Sequence, residues 1–353
     1  MIIKKIFSFV ASIISLFIFN LFIISSSNSD DSSIKYYSND EGILSLMYHR
    51  FNENKYPSTN IQMSIFKEQI EMIQKSDYNF FDPNKFKEKF KTPKKNKEIL
   101  ITIDDAFQSF YLEAWPYLKI NKIPFILFVS TEPVGKKGYM TWSQIKEVEA
   151  EEFALIGHHS HAHNYLIDGS NDNFIRDIEK ANKIFLTKLG YVPSLFSYPF
   201  GEYSNFIKNY ISENFEFGFG QHSGVIDVNK NKFELPRFPI NENYGDLKRF
   251  KSIIDLFPLE YKQLLPIEKI LDEDNNPPLF KVKFFKEQKN IKDVNCYSNE
   301  LGSWKKSNTN ISDQTLTIKF RGSFLPRRGR INCSLNDDGK WRWFGIQFPI
   351  KNN

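Results

Sequence analysis

From Gly42 to about Phe257 the chain alternates short apolar runs with amphipathic stretches. Ile43 to Met47, Ile99 to Ile103, Phe125 to Val129, Phe153 to Gly157, Leu195 to Tyr198 and Phe215 to Phe219 read as strands. Between them lie helical segments. Ser64 is placed to cap one with Phe66, Ile70 and Ile73 on its inner face, and Asn173 to Leu189 forms another, with Gly190 as its C-cap. Strands separated by helices imply an α/β fold with a parallel sheet, open or closed into a barrel. No internal repeat interrupts this order.

The pattern changes after about Pro258. Residues 261–278, ending in Asp272 to Pro278, read as a linker. Alternating segments follow at Phe280 to Phe284, Gln314 to Phe320 and Trp341 to Phe348, so residues 279–353 read as a small all-β, sandwich-like domain. Two domains are what 353 residues predict at about 150 residues each. With 41% hydrophobic and 25% charged residues, the chain is neither disordered throughout, nor collagen-like, nor a multi-span membrane protein. A net charge of +5 is too mild to argue for nucleic acid, and no nucleic-acid partner is expected.

Lys4 and Lys5 precede an apolar stretch from Ile6 to Ile24, followed by Ser25 to Ser27. Residues 1–27 therefore read as a signal peptide or an uncleaved membrane anchor through residues 6–24, and 28–41 as a linker. The rest of the chain is expected outside the cytoplasm, periplasmic or at the cell surface. Cys296 and Cys333, the only two cysteines, then suggest a disulfide. Residues 85–97 hold seven lysines and one glutamate, a solvated loop or a patch for acidic glycan or lipid. In the β domain, Lys319, Arg321, Arg327, Arg328 and Arg330 accompany Trp304, Trp341 and Trp343. They form either core aromatics with a solvated basic edge, or a surface facing glycan or membrane.

All six histidines lie in the first module, four of them within Gly157 to His163. Imidazoles at such short spacing suit a zinc-type site, and the pattern is not HExxH. Asp104 and Asp105 directly follow the Ile99 strand, where paired carboxylates need partners or chemistry. His49, Asp104-Asp105, the histidine cluster, Pro199-Phe200-Gly201 and His222 each fall just past a strand. In a parallel barrel those C-terminal ends share the rim on which active sites are built.

With these residues in view, the segment 42–250 resembles the polysaccharide deacetylases of carbohydrate esterase family 4, the NodB-homology domain. It is closest in look to the poly-N-acetylglucosamine branch. Thr102-Ile103-Asp104-Asp105-Ala106 matches the family's Thr-Phe-Asp-Asp-Gly, Gly157 to His163 its His-Ser/Thr-x-x-His, and Ser197-Tyr198-Pro199-Phe200-Gly201 its Arg-x-Pro-Tyr-Gly. Leu46-Met47-Tyr48-His49 is similar to the opening of the poly-N-acetylglucosamine branch. The resemblance implies a distorted seven-stranded barrel over residues 42–260 and metal-dependent N-deacetylation of an N-acetylglucosamine-containing polysaccharide. It implies Asp104 as base, and Asp105, His159 and His163 as ligands of one divalent ion, zinc first, with nickel, cobalt or iron as alternatives. His158 and His161 fall outside that ligand set. Ser197 stands where the family has Arg, and Arg237 is expected to replace it from another strand end. The family's late Leu-x-His acid is not visible; His222 is the expected stand-in, with His49 the other choice. His49, Tyr198, Phe200 and Trp142 are expected to line the substrate, although core packing competes as the role of Trp142. The alternatives are an O-acetyl esterase or small-substrate amidase on the same fold, and a non-catalytic glycan-binding protein.

Overall fold

The computed structural model describes residues 42–90 and 96–351. The expectations for residues 1–41, and part of the lysine-rich segment, lie outside them. No helix among the described residues is long and apolar enough to cross a membrane.

Seven strands run parallel: β1 (Ile43–Tyr48), β2 (Glu98–Asp104), β3 (Phe125–Val129), β4 (Ala154–His158), β5 (Leu195–Ser197), β6 (Phe217–Phe219) and β7 (Phe238–Pro239). They pair in sequence order from β1 to β6 in one curled sheet. The gap is spanned by a single short segment. Leu235 bridges Phe219 of β6, and Phe238 pairs with Leu46 of β1, so residues 235–239 carry the curl from its last strand back to its first. Val225–Ile226 adds an antiparallel pairing beside β1. The expected barrel is thus present, distorted and closed by the thinnest of contacts.

Register fixes which residues share the rim. Asp104 lies beside Phe128 and Phe128 beside Gly157, while His158 lies beside Phe196. The strand ends are therefore level, and the residues after them emerge on one side. Gly157 is required by this packing. A Cβ there would fall 2.3 Å from the Phe128 ring.

Helices cover the outer face. Helix α1 (Met63–Gln74) buries Phe66, Ile70 and Ile73, as its spacing predicts. Its cap is corrected, however: Gln62 holds the N-cap position without a side-chain bond and Ser64 lies inside the helix. Helix α2 (Trp142–Glu149) begins with a Thr141–Gln144 capping box. Helix α3 (Asn171–Leu189) buries Phe174, Ile178, Ala181 and Phe185, and ends at Gly190 with φ 88°. Each large side chain so buried stabilises by about 1.5–3 kcal/mol.

The C-terminal part is all-β. One sheet orders Phe257–Pro258, Lys340–Pro349, Arg328–Asp337, Asn295–Ser298 and Lys305–Lys306. A second orders Gln263–Leu265, Lys281–Lys283, Thr315–Lys319 and Asn308–Ser312. The segment 261–278 is accordingly not a free tether. Its residues Gln263–Leu265 pair with Lys281–Lys283, and Leu271 bridges Ile350. The disulfide Cys296–Cys333 joins directly paired positions of neighbouring strands.

Candidate active site

Strand alternation delivers the first element of the site. In β2, Thr102 and Asp104 point to the sheet interior, and in β5 Ser197 does the same. Arg237, in the closing segment, reaches all three. Its Nη1 donates to Asp104 Oδ1 at 2.7 Å and Thr102 Oγ1 at 3.1 Å, and its Nη2 to Asp104 Oδ2 and Ser197 Oγ, both at 2.8 Å. Nε donates to Gly220 O at 2.9 Å. Arg237 and Asp104 are both fully buried. Burial acts to raise the Asp104 pKa, but Arg237, His159 and His49 outweigh it and hold the carboxyl well below the usual carboxylate range. Arg237 thus reaches Asp104 from across the sheet, and the Ser197 hydroxyl accepts one of its bonds.

The second element is a donor cluster. Asp105, His159 and His163 place one ligand atom each within 4.8 Å of one another. Asp105 Oδ1 lies 3.1 Å from His163 Nε2 and 3.5 Å from His159 Nε2. The backbone is bent to achieve this, with positive φ at Asp105 (77°), Ala106 (53°), Ser160 (66°) and His163 (53°). Asp177 on α3 holds the second bend, accepting from His161 N at 2.8 Å and Ala162 N at 3.0 Å.

His159 shows that these residues suit a divalent cation. Its Nδ1 lies 2.7 Å from Ser197 O, which can only accept, so Nδ1 carries the proton and Nε2 a bare lone pair. That buried Nε2 has no hydrogen-bond partner and faces carboxylate oxygens instead. Lone pair against carboxylate is unfavourable until a positive charge sits between them. Burial also pushes the His159 pKa down to about 4, which leaves the ring neutral, the state in which imidazole ligates.

The remaining histidines take other places. His158 points outward among Phe185, Phe196 and Phe215, and burial pushes its pKa down to about 3. His161 Nδ1 meets Thr131 Oγ1 at 2.8 Å. Neither belongs to the cluster, in agreement with the motif register. His49 does reach the site, with Nε2 4.0 Å from Asp104 Oδ2. His222 lines the same cleft, but among the described residues it forms no ion pair with Asp104 or Asp105. Burial lowers its pKa to about 4, as burial also lowers that of His49.

Of the expected substrate contacts, Phe200 lines the cleft, with φ 59° and its ring centroid 4.6 Å from that of His163. Tyr198 does not. It has the same parity as Phe196, is fully buried, and its hydroxyl donates to Phe233 O at 3.1 Å. Trp142 opens α2 and packs against Phe185 in the core, as its competing role predicted.

The cleft, of about 1130 Å³, is completed by the C-terminal sheet. Gln347 Nε2 donates to Phe200 O at 3.0 Å and Gly201 O at 3.2 Å. The buried Glu202 receives Arg327 and Arg328, and Arg327 also pairs with Asp168. The Arg327 guanidinium lies 3.7 Å over Tyr165, which stacks on Phe200 at 4.0 Å. Ser223 Oγ lies 2.8 Å from Asn332 Oδ1 and accepts from Trp343 Nε1 at 3.2 Å. None of this inter-module bracing was legible in local sequence.

A curled parallel sheet with a carboxylate–guanidinium pair beside an Asp-His-His cluster at one rim defines a hydrolase of the deacetylase class. Residues 91–214 match the model of the polysaccharide deacetylase family. Over 250 residues it is 26% identical to a poly-β-1,6-N-acetyl-D-glucosamine N-deacetylase of Staphylococcus aureus, covering 61% of this chain and 85% of that protein. Among solved structures, the Streptococcus pyogenes deacetylase PplD, in complex with acetate, superposes with a TM-score of 0.55 at 21% identity, covering 60% of this chain and 98% of that one. IcaB from Ammonifex degensii gives 0.54 at 23%, covering 61% and 97%. Both share the fold.

Proposed function

We propose that the protein removes N-acetyl groups from a polysaccharide of the poly-N-acetylglucosamine type, releasing acetate and leaving free amines. The carrying observation is the Arg237-clamped Asp104 beside the Asp105–His159–His163 cluster on one open rim. The polymer class rests on the named activity of the staphylococcal relative.

Asp105, His159 and His163 are the residues to hold a divalent cation, and two imidazoles with a carboxylate favour zinc. Such an ion, when bound, supplies positive charge that polarises the acetamide carbonyl and acidifies water. The chain's own residues do the rest. Asp104, ionised throughout the physiological range, accepts the proton of the attacking water as oxygen adds to the carbonyl carbon. Arg237 fixes the direction of that carboxylate and disfavours its protonated form, so the proton is passed on rather than kept. His49, 4.0 Å from Asp104, is the group placed to deliver a proton to the departing nitrogen as the C–N bond breaks. The turn at Phe200, pinned through its carbonyl by Gln347, offers backbone N–H to the developing oxyanion. Export fits the Cys296–Cys333 disulfide.

The test is acetate release from N-acetylglucosamine oligomers, with bound metal measured by elemental analysis. Asp104→Asn should abolish turnover and keep the metal, whereas His163→Ala should lose it. Full activity in Asp104→Asn would remove the base from the mechanism, and release from O-acetylated sugars alone would make the protein an esterase.

A further inference from the structure

The geometry points to a second sugar-binding surface on the C-terminal sheet: Trp304, Trp341 and Arg330 form an extended subsite that holds N-acetylated units of the same polysaccharide chain whose acetyl group lies at the metal-ligand cluster. This rests on the proposed deacetylase reading and adds to it a role for the β module.

The strand Arg328–Asp337 has two faces. Ile331, Cys333 and Leu335 point into the module's core. Arg330, Asn332 and Ser334 point the other way, into the cleft that also contains His49, Asp105 and His163. In the paired strand, Trp343 lies opposite Ser334 and Trp341 opposite Asn336. Gly345 lies opposite Asn332, and there the sheet meets the catalytic rim directly: a Cβ would fall 2.3 Å from Ser223 O. The rim and the sheet face are therefore one continuous surface.

Three features of that surface indicate a glycan. Trp304 and Trp341 are 44% and 49% exposed, and both line the cleft, although neither is needed to close a core. Flat aromatic rings beside polar groups suit the apolar faces and hydroxyl edges of pyranose rings. The cleft, at about 1130 Å³, exceeds the roughly 300–1,000 Å³ of ordinary small-ligand sites, so it extends well beyond one acetamide-bearing sugar.

Arg330 gives the direction of preference. Arg327 and Arg328 are neutralised by Asp168 and Glu202, but among the described residues no carboxylate lies within ion-pair distance of Arg330. Its Nε donates to Gln347 Oε1 at 3.4 Å. A guanidinium without a directly paired carboxylate on the wall accepts neutral acetamido sugars, with donors to spare for their carbonyl oxygens, and repels the ammonium groups that deacetylation creates. The subsite therefore retains acetylated chain and releases the product.

The experiment uses the full chain and its Trp304→Ala, Trp341→Ala and Arg330→Ala variants, with fold checked by thermal unfolding. Acetate release is followed on β-1,6-linked N-acetylglucosamine as a dimer and as an oligomer of about eight units. Each tryptophan variant should raise KM for the long oligomer about tenfold, with kcat changing less than about twofold and KM for the dimer far less affected. Wild-type binding of the long oligomer should weaken as the oligomer is chemically deacetylated, and Arg330→Ala should flatten that dependence. Long-oligomer KM values within about twofold of wild type in all three folded variants would overturn the subsite. If the wild type releases no acetate, the deacetylase reading fails separately. Calorimetric titration of the long oligomer then decides the subsite alone: weaker binding in the tryptophan variants upholds it, and equal or no binding overturns it. Should an alanine variant misfold, Trp341→Tyr and Arg330→Gln give the same comparison.

Discussion

Replacing Arg237 by Met exposes the logic of the site. The substitution keeps most of the side chain's bulk and deletes five hydrogen bonds to Asp104, Thr102, Ser197 and Gly220. It strands a carboxylate that is fully buried. Breaking such a pair costs about 3–5 kcal/mol, against a total stability of about 5–15 kcal/mol. The expected fall in Tm is about 10 °C. Turnover should fall about a hundredfold, because the base loses its fixed direction.

Acidification provides the discriminating measurement. In the wild type, the Asp104 pKa lies below its unfolded value of about 3.9. Its stabilising contribution is therefore fully present above about pH 4 and is lost as pH falls towards the folded value. Without Arg237, burial dominates and lifts the folded pKa above the unfolded one. Asp104 then destabilises at neutral pH, and this penalty fades as pH falls through the raised value. The gap in Tm between variant and wild type should narrow between pH 7 and pH 4, and the acidic limb of kcat/KM should move to higher pH. A gap that stays constant or widens, with activity within twofold of wild type, would refute Arg237 as the counter-ion of the base. Asp104→Asn in the Arg237→Met background should recover part of the lost stability, since the stranded charge is gone.

Other outcomes follow from local geometry. Gly157→Ala should destabilise by about 1–3 kcal/mol and impair activity, because the new methyl meets Phe128 beside His158 and His159; unaltered thermal unfolding would count against that contact. Ala106→Gly should relieve a left-handed backbone and stabilise by about 1 kcal/mol, raising Tm by about 2–4 °C; a lower Tm would show that the turn is not strained. Replacing Cys296 and Cys333 by Ser opens a loop of 37 residues and should cost about 4 kcal/mol, seen as a lower denaturant midpoint; an unmoved midpoint would mean the bridge does not constrain the unfolded chain.

Much of the site was legible because strand ends are legible. The apolar run before Asp104 and the run before His158 place both motifs on one rim, and the structure brings them there. The misplacing of Tyr198 comes from neglect of the two-residue period. Ser197 and Tyr198 are neighbours in sequence but face opposite sides of the sheet, so the modest serine reaches the base and the aromatic enters the core. The same parity separates His159 from His158. Other features were beyond local pattern. The segment from Gly220 to Pro236 that brings Arg237 back to β2 is not hidden by composition; what is hidden is that Leu235 and Phe238 contact opposite ends of the sheet. Likewise, nothing near Arg327 announces Glu202, more than a hundred residues earlier.

That last contact bears on how such a protein can be altered or recombined. A chimera cut near residue 260 would look conservative on a diagram. Yet it would leave Glu202, fully buried, without Arg327 and Arg328, an isolated buried charge of the kind that costs about 3–5 kcal/mol. It would also remove the amide that pins Phe200. To keep that buried pair, the module has to travel together with the loop from Pro199 to Glu202. Any scheme that shuffles this barrel among different C-terminal partners has to carry both halves of that joint.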